Sequence, residues 1–172
     1  MPGCVAYIAA SLDGFIATAD GSVAWLEAFQ ATDYGYAEFF AGIGTLVMGR
    51  ATYDQVLAFG AWPYAGKPCL VLSRSGIANP PEGVAAWKGD AASLATHLAQ
   101  LKERVWVVGG GKLIAGLLAE GAVTELDLFT MPVLLGRGIP LFAGGHPPAQ
   151  KLSLLDTQTW PNGVVRLRYA IG

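Results

Sequence analysis

Four short, almost uninterrupted apolar runs constrain this chain more than any other feature: Val5–Ala10, Thr45–Met48, Cys69–Leu72 and Val105–Val108, each closed by Gly, Ser or Arg. A strand with one face in water alternates apolar and polar residues. A continuous apolar run implies a strand covered on both faces, as in parallel sheets. Between the runs lie helical patterns: around Asp33–Ile43, a short one after Thr52, one from Ala91 to Arg104 with Leu94, Leu98 and Leu101 on one face, and one from Lys112 to Glu120. Strand and helix alternate, which predicts an α/β fold with right-handed crossovers. A weaker strand is expected at Val84–Trp87.

The last third changes character. In Thr124–Phe129, Glu125 and Asp127 alternate with Leu126 and Leu128, and in Val164–Tyr169, Arg166 and Arg168 alternate with Val165, Leu167 and Tyr169. Both read as half-exposed antiparallel strands. Lys151–Asp156 can pair with Val164–Tyr169 across Trp160-Pro161-Asn162-Gly163, whose Pro-Asn-Gly is a turn signal. The expected sheet is mixed: mostly parallel at its centre, finished by a C-terminal antiparallel hairpin.

At 172 residues, with 53% hydrophobic and 14% charged, the chain is expected to be one compact domain, 1–172. A net charge of −2 and the lack of a Lys/Arg-rich run argue against nucleic acid or an anionic membrane as partner. Charges such as Asp13, Asp20, Glu27 and Asp33 interrupt every apolar stretch before it could span a bilayer, and Val5–Ala10 is too short for a signal-peptide core. A cytoplasmic protein is expected. Cys4 and Cys69 sit inside apolar strands and read as buried, reduced thiols. His97, on a helical segment, and His146, in a Gly/Pro loop, offer no metal-ligand spacing, so no metal is expected.

Gly109-Gly110-Gly111 follows one strand directly and opens the helix beginning near Lys112. Glycines there let the backbone approach a ligand, and free N–H groups at the positive end of the helix dipole favour phosphate. The run does not match G-x-G-x-x-G, so by itself it reads equally as a tight turn. A second strand-to-helix junction, Met48-Gly49-Arg50-Ala51-Thr52, combines a glycine, a guanidinium and a hydroxyl. A third, Leu72-Ser73-Arg74-Ser75, flanks an arginine with hydroxyls and suits the 2′-phosphate that distinguishes NADPH from NADH.

These segments occur together with Ser11-Leu12-Asp13-Gly14-Phe15-Ile16-Ala17 after the first strand and with Pro132-Val133-Leu134-Leu135-Gly136-Arg137-Gly138 before Pro140-Leu141-Phe142. In that order the chain resembles dihydrofolate-reductase-like proteins over nearly its whole length. The Ser-Leu-Asp-Gly start and the Pro-Val-Leu-Leu-Gly segment look more like the C-terminal reductase domain of the riboflavin deaminase-reductase than dihydrofolate reductase itself. No deaminase domain is expected, for want of length and of its His/Cys zinc signature. The resemblance implies a three-layer fold and an NADPH-dependent reductase of riboflavin biosynthesis type. It implies that Arg50, Ala51, Thr52, Ser73 and Arg74 hold the adenosine-side phosphates, with Gly49 and Leu72 also at the cofactor. Gly109, Gly110, Gly111, Lys112 and Leu113 would meet the pyrophosphate, and Ala9, Ile16 and Ala17 the nicotinamide.

The implied substrate is a small heterocycle such as a ribosylaminopyrimidine or a pterin. Asp33 holds a position comparable to the buried carboxylate of dihydrofolate reductases, though it reads equally as a helix N-cap. Asp13 is a second candidate proton donor, or simply the Asp of an Asp-Gly turn. Trp62, Tyr34 and Tyr36 are candidates to stack on a flat ring, or are core. A true dihydrofolate reductase and a non-catalytic NADPH-binding protein remain alternatives. A homodimer is expected from the family resemblance and from the apolar Met131–Leu135 and Trp160 region.

Overall fold

The computed structural model describes residues 3–144 and 149–172, and His146 lies outside them. In chain order the elements are β1 (Cys4–Ser11), β2 (Phe15–Ala17), a 3-10 turn (Ala24–Phe29), α1 (Tyr36–Ala41), β3 (Thr45–Gly49), α2 (Arg50–Ala58), β4 (Cys69–Leu72), β5 (Val84–Trp87), α3 (Ala91–Leu98), β6 (Val105–Gly109), α4 (Gly111–Ala119), β7 (Val123–Met131), β8 (Ile139–Pro140), β9 (Leu152–Thr159) and β10 (Val165–Ile171). Eight strands form one sheet in the order β5-β4-β3-β6-β1-β7-β10-β9. Every pairing from β5 to β7 is parallel, and β10 is antiparallel to both β7 and β9. The short β2 and β8 pair antiparallel beside it.

The apolar runs become strands because helices cover both faces. Cys4, Ala6, Val47, Val105 and Val107 point to one face, where Leu94 and Leu98 of α3 and Ile114 and Leu117 of α4 meet them. Val5, Leu46, Met48, Val71 and Trp106 point to the other, against Phe39 of α1 and Tyr53 of α2. Adjacent residues Val5 and Ala6 are both fully buried on opposite faces, which no alternating pattern would permit. Among the described residues no helix is long and apolar enough to cross a membrane.

Several boundaries differ from the sequence reading. The first helix begins at Tyr36 rather than near Asp33, because Gly35 has φ +79° and Asp33 accepts the Gly35 N–H in a local turn. Helix α3 stops at Leu98, where Gln100 and Leu101 N–H groups bond back to His97 and Leu98 in a tighter turn. Helix α2 opens at Arg50, immediately after β3. The alternation in β7 misled in two ways. The strand is parallel to β1 and antiparallel only to β10, and Asp127, expected in water, is 1% exposed.

Asp127 is buried because Arg166 closes over it, Nε donating to Oδ1 at 2.7 Å and Nη2 to Oδ2 at 2.6 Å. Arg168 stands 3.8 Å from the same carboxylate and pairs with Glu125, which Arg104 also grips. An ion ladder thus runs across this face of β7 and β10. Polar alternation looks the same whether water or paired charge covers it.

Arg166→Met should strand the Asp127 charge and cost about 3–5 kcal/mol in urea unfolding, whereas Asp127→Leu combined with Arg166→Met should recover most of the loss. Burial pushes the Cys4 thiol up to about 11 and that of Cys69 up to about 12. Neither should react with a disulfide reagent at pH 8 until the protein is unfolded.

Candidate functional site

Strands β3 and β6 lie side by side, yet α2 and α4, which leave them, cover opposite faces of the sheet. Diverging crossovers open a crevice at the strands' carboxyl ends, the usual ligand position in such sheets. Gly49 caps α2 and Gly110 caps α4, and neither helix has a side-chain N-cap, whereas Asp90 caps α3. The N-terminal N–H groups of two helices therefore meet at one place without the usual capping side chains. A Cβ on Gly49 would stand 3.7 Å from both the Gly109 oxygen and the Gly110 nitrogen, and one on Gly110 would stand 3.6 Å from Thr52 Oγ1.

The three consecutive glycines do different work. Gly109 has φ +137° and is joined to Gly110 by a cis peptide bond. Gly111 is buried where any Cβ would run into the Pro140 carbonyl and lie 2.9 Å from that of Leu141. Gly110 has an ordinary φ of −80°, and among the described residues, its chain neighbours aside, its Cβ would meet only Thr52 Oγ1, at 3.6 Å. Its missing side chain leaves space in the crevice itself. Lys112 is exposed on the first turn of α4, and Leu113 is 5% exposed in the core, so only its backbone faces the crevice end.

Beyond α2 the carboxyl ends of β4 and β5 border a groove of about 710 Å³, lined among others by Arg50, Ser75, Gly76, Ile77, Ala85 and Lys88. Arg50 Nε donates to both Asp54 carboxylate oxygens at 2.9 and 3.0 Å, and Nη1 donates to the Gly76 carbonyl at 2.7 Å. Ser73 is buried, its hydroxyl donating to the same carbonyl at 3.0 Å. Leu72 closes β4 half-buried, and Ala51 is exposed on α2. Arg74 is exposed and is not among the groove's lining residues, whereas Lys88, absent from the sequence reading, is one of them. Its signal was a cation directly after the Val84–Trp87 strand.

The Ser-Leu-Asp-Gly segment is a staple. Asp13 accepts the Ser11 hydroxyl at 2.6 Å, the Leu135 N–H at 3.1 Å and the Gly136 N–H at 2.7 Å, while Gly14 turns at φ +88°. Hydrogen bonding from Ser11 foremost, then from the Leu135 and Gly136 amides, holds its carboxyl below the ordinary 3.8. A carboxylate kept ionised is the opposite of a proton donor, so Asp13 joins the two loop segments instead. Asp33, too, is exposed and committed to its local turn rather than buried.

Ala9 faces an aromatic cluster through its register partner Phe129, with Tyr7, Trp25, Tyr34 and Trp160. Ala17 is buried, and its neighbour Ile16 packs against the core cluster that includes Leu113, Ile114 and Leu117 of α4. The hairpin turn reaches over this cluster: Asn162 Nδ2 donates to Tyr34 Oη at 2.7 Å, and the Tyr34 and Trp160 rings lie 4.9 Å apart. The Tyr7 hydroxyl is pushed up to about 12, mainly by burial, with Arg166 opposing and Asp127, Tyr36 and Asp33 reinforcing. Among the described residues the Trp25 indole N–H is buried without a hydrogen-bond partner, as are the Trp62 indole N–H and the Tyr53 hydroxyl, and Trp25 offers its donor within this cluster. Trp62, read as a stacking candidate, packs instead against Tyr53 and Tyr64 under α2.

The family profile of the RibD C-terminal domain matches residues 75–166. The chain belongs to that family. It is 38% identical to the uncharacterized protein YwjB of Bacillus subtilis over 141 residues, 80% of this chain and 81% of that one. The riboflavin biosynthesis protein RibD of Corynebacterium ammoniagenes is 29% identical over 161 residues, and the match spans 45% of its length. Among solved structures, a Shewanella sp. PV-4 protein provisionally assigned to riboflavin biosynthesis superposes with a TM-score of 0.85 at 30% identity, over 99% of both chains. The deaminase/5-amino-6-(5-phosphoribosylamino)uracil reductase of Thermotoga maritima gives 0.72 at 17% identity, covering 99% of this chain and 57% of that one. The latter likeness shows the shared dihydrofolate-reductase-like fold. The Ser-Leu-Asp-Gly and Pro-Val-Leu-Leu-Gly segments are tied together in the structure, one supplying the carboxylate and the other the two amides it holds.

Asp13→Ala should free the 133–138 segment, read as faster amide exchange there. Because the folded carboxyl is depressed, the staple is complete above the ordinary carboxyl range and is lost as pH falls through the lowered value. Corrected for the intrinsic pH dependence of amide exchange, the protection of this segment in the wild type should therefore fall as pH drops through the lowered carboxyl value, and in Asp13→Ala it should show no such step.

Proposed function

We propose that the protein is a cytoplasmic, NADPH-dependent oxidoreductase that transfers hydride to a small heterocyclic acceptor of pyrimidine or pterin type. RibD C-terminal domain membership supports the reaction class. The observation that carries the reading is the meeting of two N-termini without side-chain caps at Gly49 and Gly110. That cradle fits a pyrophosphate, and the groove beside it, with Arg50 and Lys88 over apolar Ile77 and Ala85, fits an adenosine phosphate. When bound, NADPH supplies the hydride chemistry. The protein's part is to bind and orient. Gly109–Lys112 and Gly49–Thr52 offer backbone donors, Ala9 leaves room for a flat ring against β1, and the Asp13 staple holds the adjoining loop in place. On the acceptor side, Trp25 offers an indole donor and the Tyr7 phenol stays protonated at neutral pH. The exposure of Asp33 disfavours dihydrofolate reductase proper, which needs that carboxylate buried.

Gly110→Ala tests this reading cleanly, because the folded chain already tolerates a methyl group there. NADPH affinity should fall at least about tenfold, or about 1.4 kcal/mol, while the cofactor-free melting temperature stays unchanged. Unaltered affinity would return the glycine run to a plain turn. Gly111→Ala should do the reverse and lower the melting temperature, since it drives a Cβ into the Pro140 carbonyl. Oxidation of NADPH with a pyrimidine and pterin panel then separates an enzyme from a protein that only holds the nucleotide.

The protein acts as a homodimer in this reading, and of the Met131–Leu135 and Trp160 surface expected for it Leu134 is 71% exposed. Met131 is buried and Trp160 packs on Phe129 and Val164, so both serve the protomer's own core. The hairpin also presents Leu154, Leu167 and Tyr169 on a sheet face beyond α4, with Leu154 56% exposed. Light scattering should give twice 18.0 kDa, and Leu154→Asp should halve it.

A further inference from the structure

The groove at β4 and β5 holds two cations in unequal states. Arg50 is restrained on three sides, by the Asp54 carboxylate, the Gly76 carbonyl and, at 3.4 Å, the Ser73 hydroxyl. Asp54 also offsets its charge. Lys88 is exposed at the end of β5 and, among the described residues, makes no ion pair. Its side chain lies along the same turn, since a Cβ on Gly76 would stand 3.5 Å from Lys88 Cε. Around it the wall is apolar: Ile77, Ala78, Pro80 and the edge-strand residues Val84 and Ala85. The turn at Gly76, on which both cations converge, borders that wall.

We propose that Lys88 selects the phosphorylated nucleotide, supplying the uncompensated positive charge that a 2′-phosphate requires. Arg50 is then a positioning residue, which holds the 73–76 turn at the groove's rim. Arg74, the arginine that the local sequence favours for this role, stands outside the groove and contributes little. The inference rests on the proposed NADPH reading and assigns the selectivity within it. Its physical basis is that a free ammonium meets the phosphate at full charge, whereas a guanidinium already bound to a carboxylate must share or abandon that partner. A flexible lysine stem also lets the ammonium follow the ligand, while the ladder of contacts on Arg50 fixes its plane.

Titration of NADPH and NADH, and of the fragments 2′,5′-ADP and 5′-AMP, into wild type, Lys88→Met and Arg74→Met at one low ionic strength tests the assignment. Methionine keeps the aliphatic stem without the charge. For Lys88→Met, NADPH and 2′,5′-ADP should bind roughly tenfold more weakly, with NADH and 5′-AMP within about twofold of wild type. Arg74→Met should change the NADPH/NADH ratio by less than about threefold. Lys88→Arg should restore most of the preference, and the wild-type preference should shrink as salt rises. An unchanged ratio in Lys88→Met, an equal loss for both nucleotides, or a larger effect from Arg74→Met would overturn the assignment. If wild type binds NADPH, those outcomes leave the cofactor reading standing. If wild type binds none of the four, both fall.

Discussion

The adjacency of β3 and β6 is the constraint on which the rest of this protein depends. These strands sit together at the middle of the sheet, and their helices leave for opposite faces, so their carboxyl ends cannot be covered by either crossover. Two helix N-termini then emerge close together, and glycines at both caps let the backbones approach. Had either helix carried a Ser or Asp cap, as α3 carries Asp90, one of the free N–H groups would be satisfied internally and the cradle weakened. The gathering of free helix N–H groups in the crevice is thus a property of topology first and of side chains second.

Around that centre the chain also uses paired charge. One face of β7 and β10 carries Arg104, Glu125, Arg168, Asp127 and Arg166 in a connected ladder. With Asp127 almost fully buried, the arrangement works only because Arg166 meets it through two short hydrogen bonds and lies over the Phe129 ring at 5.3 Å. The ladder supports the strand pair whose turn, through Asn162, holds Tyr34 over the aromatic cluster. The aromatic end of the site is therefore built on an electrostatic floor, and its glycine end on helix N-termini.

Loops that lack periodicity are tied by single polar groups. Asp13 binds the segment after β1 to the segment after β7, two stretches separated by more than a hundred residues, and the small β2–β8 pair forms beside that tie. Arg50 does the same for the turn after β4. In both cases a residue that looks chemically active serves first to hold backbone.

By itself the sequence determined the parallel core, the alternation of helix and strand, the C-terminal hairpin and the glycine-rich junctions, because continuous apolarity, periodicity and turn residues are local properties with local physical causes. The Cys69–Leu72 and Val84–Trp87 strands run where the sequence placed them. Only the tertiary structure decided which charges are free. Asp127 and Glu125 read alike in the chain, yet one is sealed beneath Arg166. Arg50 and Arg74 read as cations of similar promise and Lys88 drew no notice, but Arg50 is bound to Asp54, Arg74 lies outside the groove and, among the described residues, Lys88 makes no ion pair within it. Likewise three identical glycines separate into a backbone requirement, an open space and a packing requirement. A charge or a glycine acquires its role from partners distant in sequence, and those partners are brought to it only when the sheet is assembled.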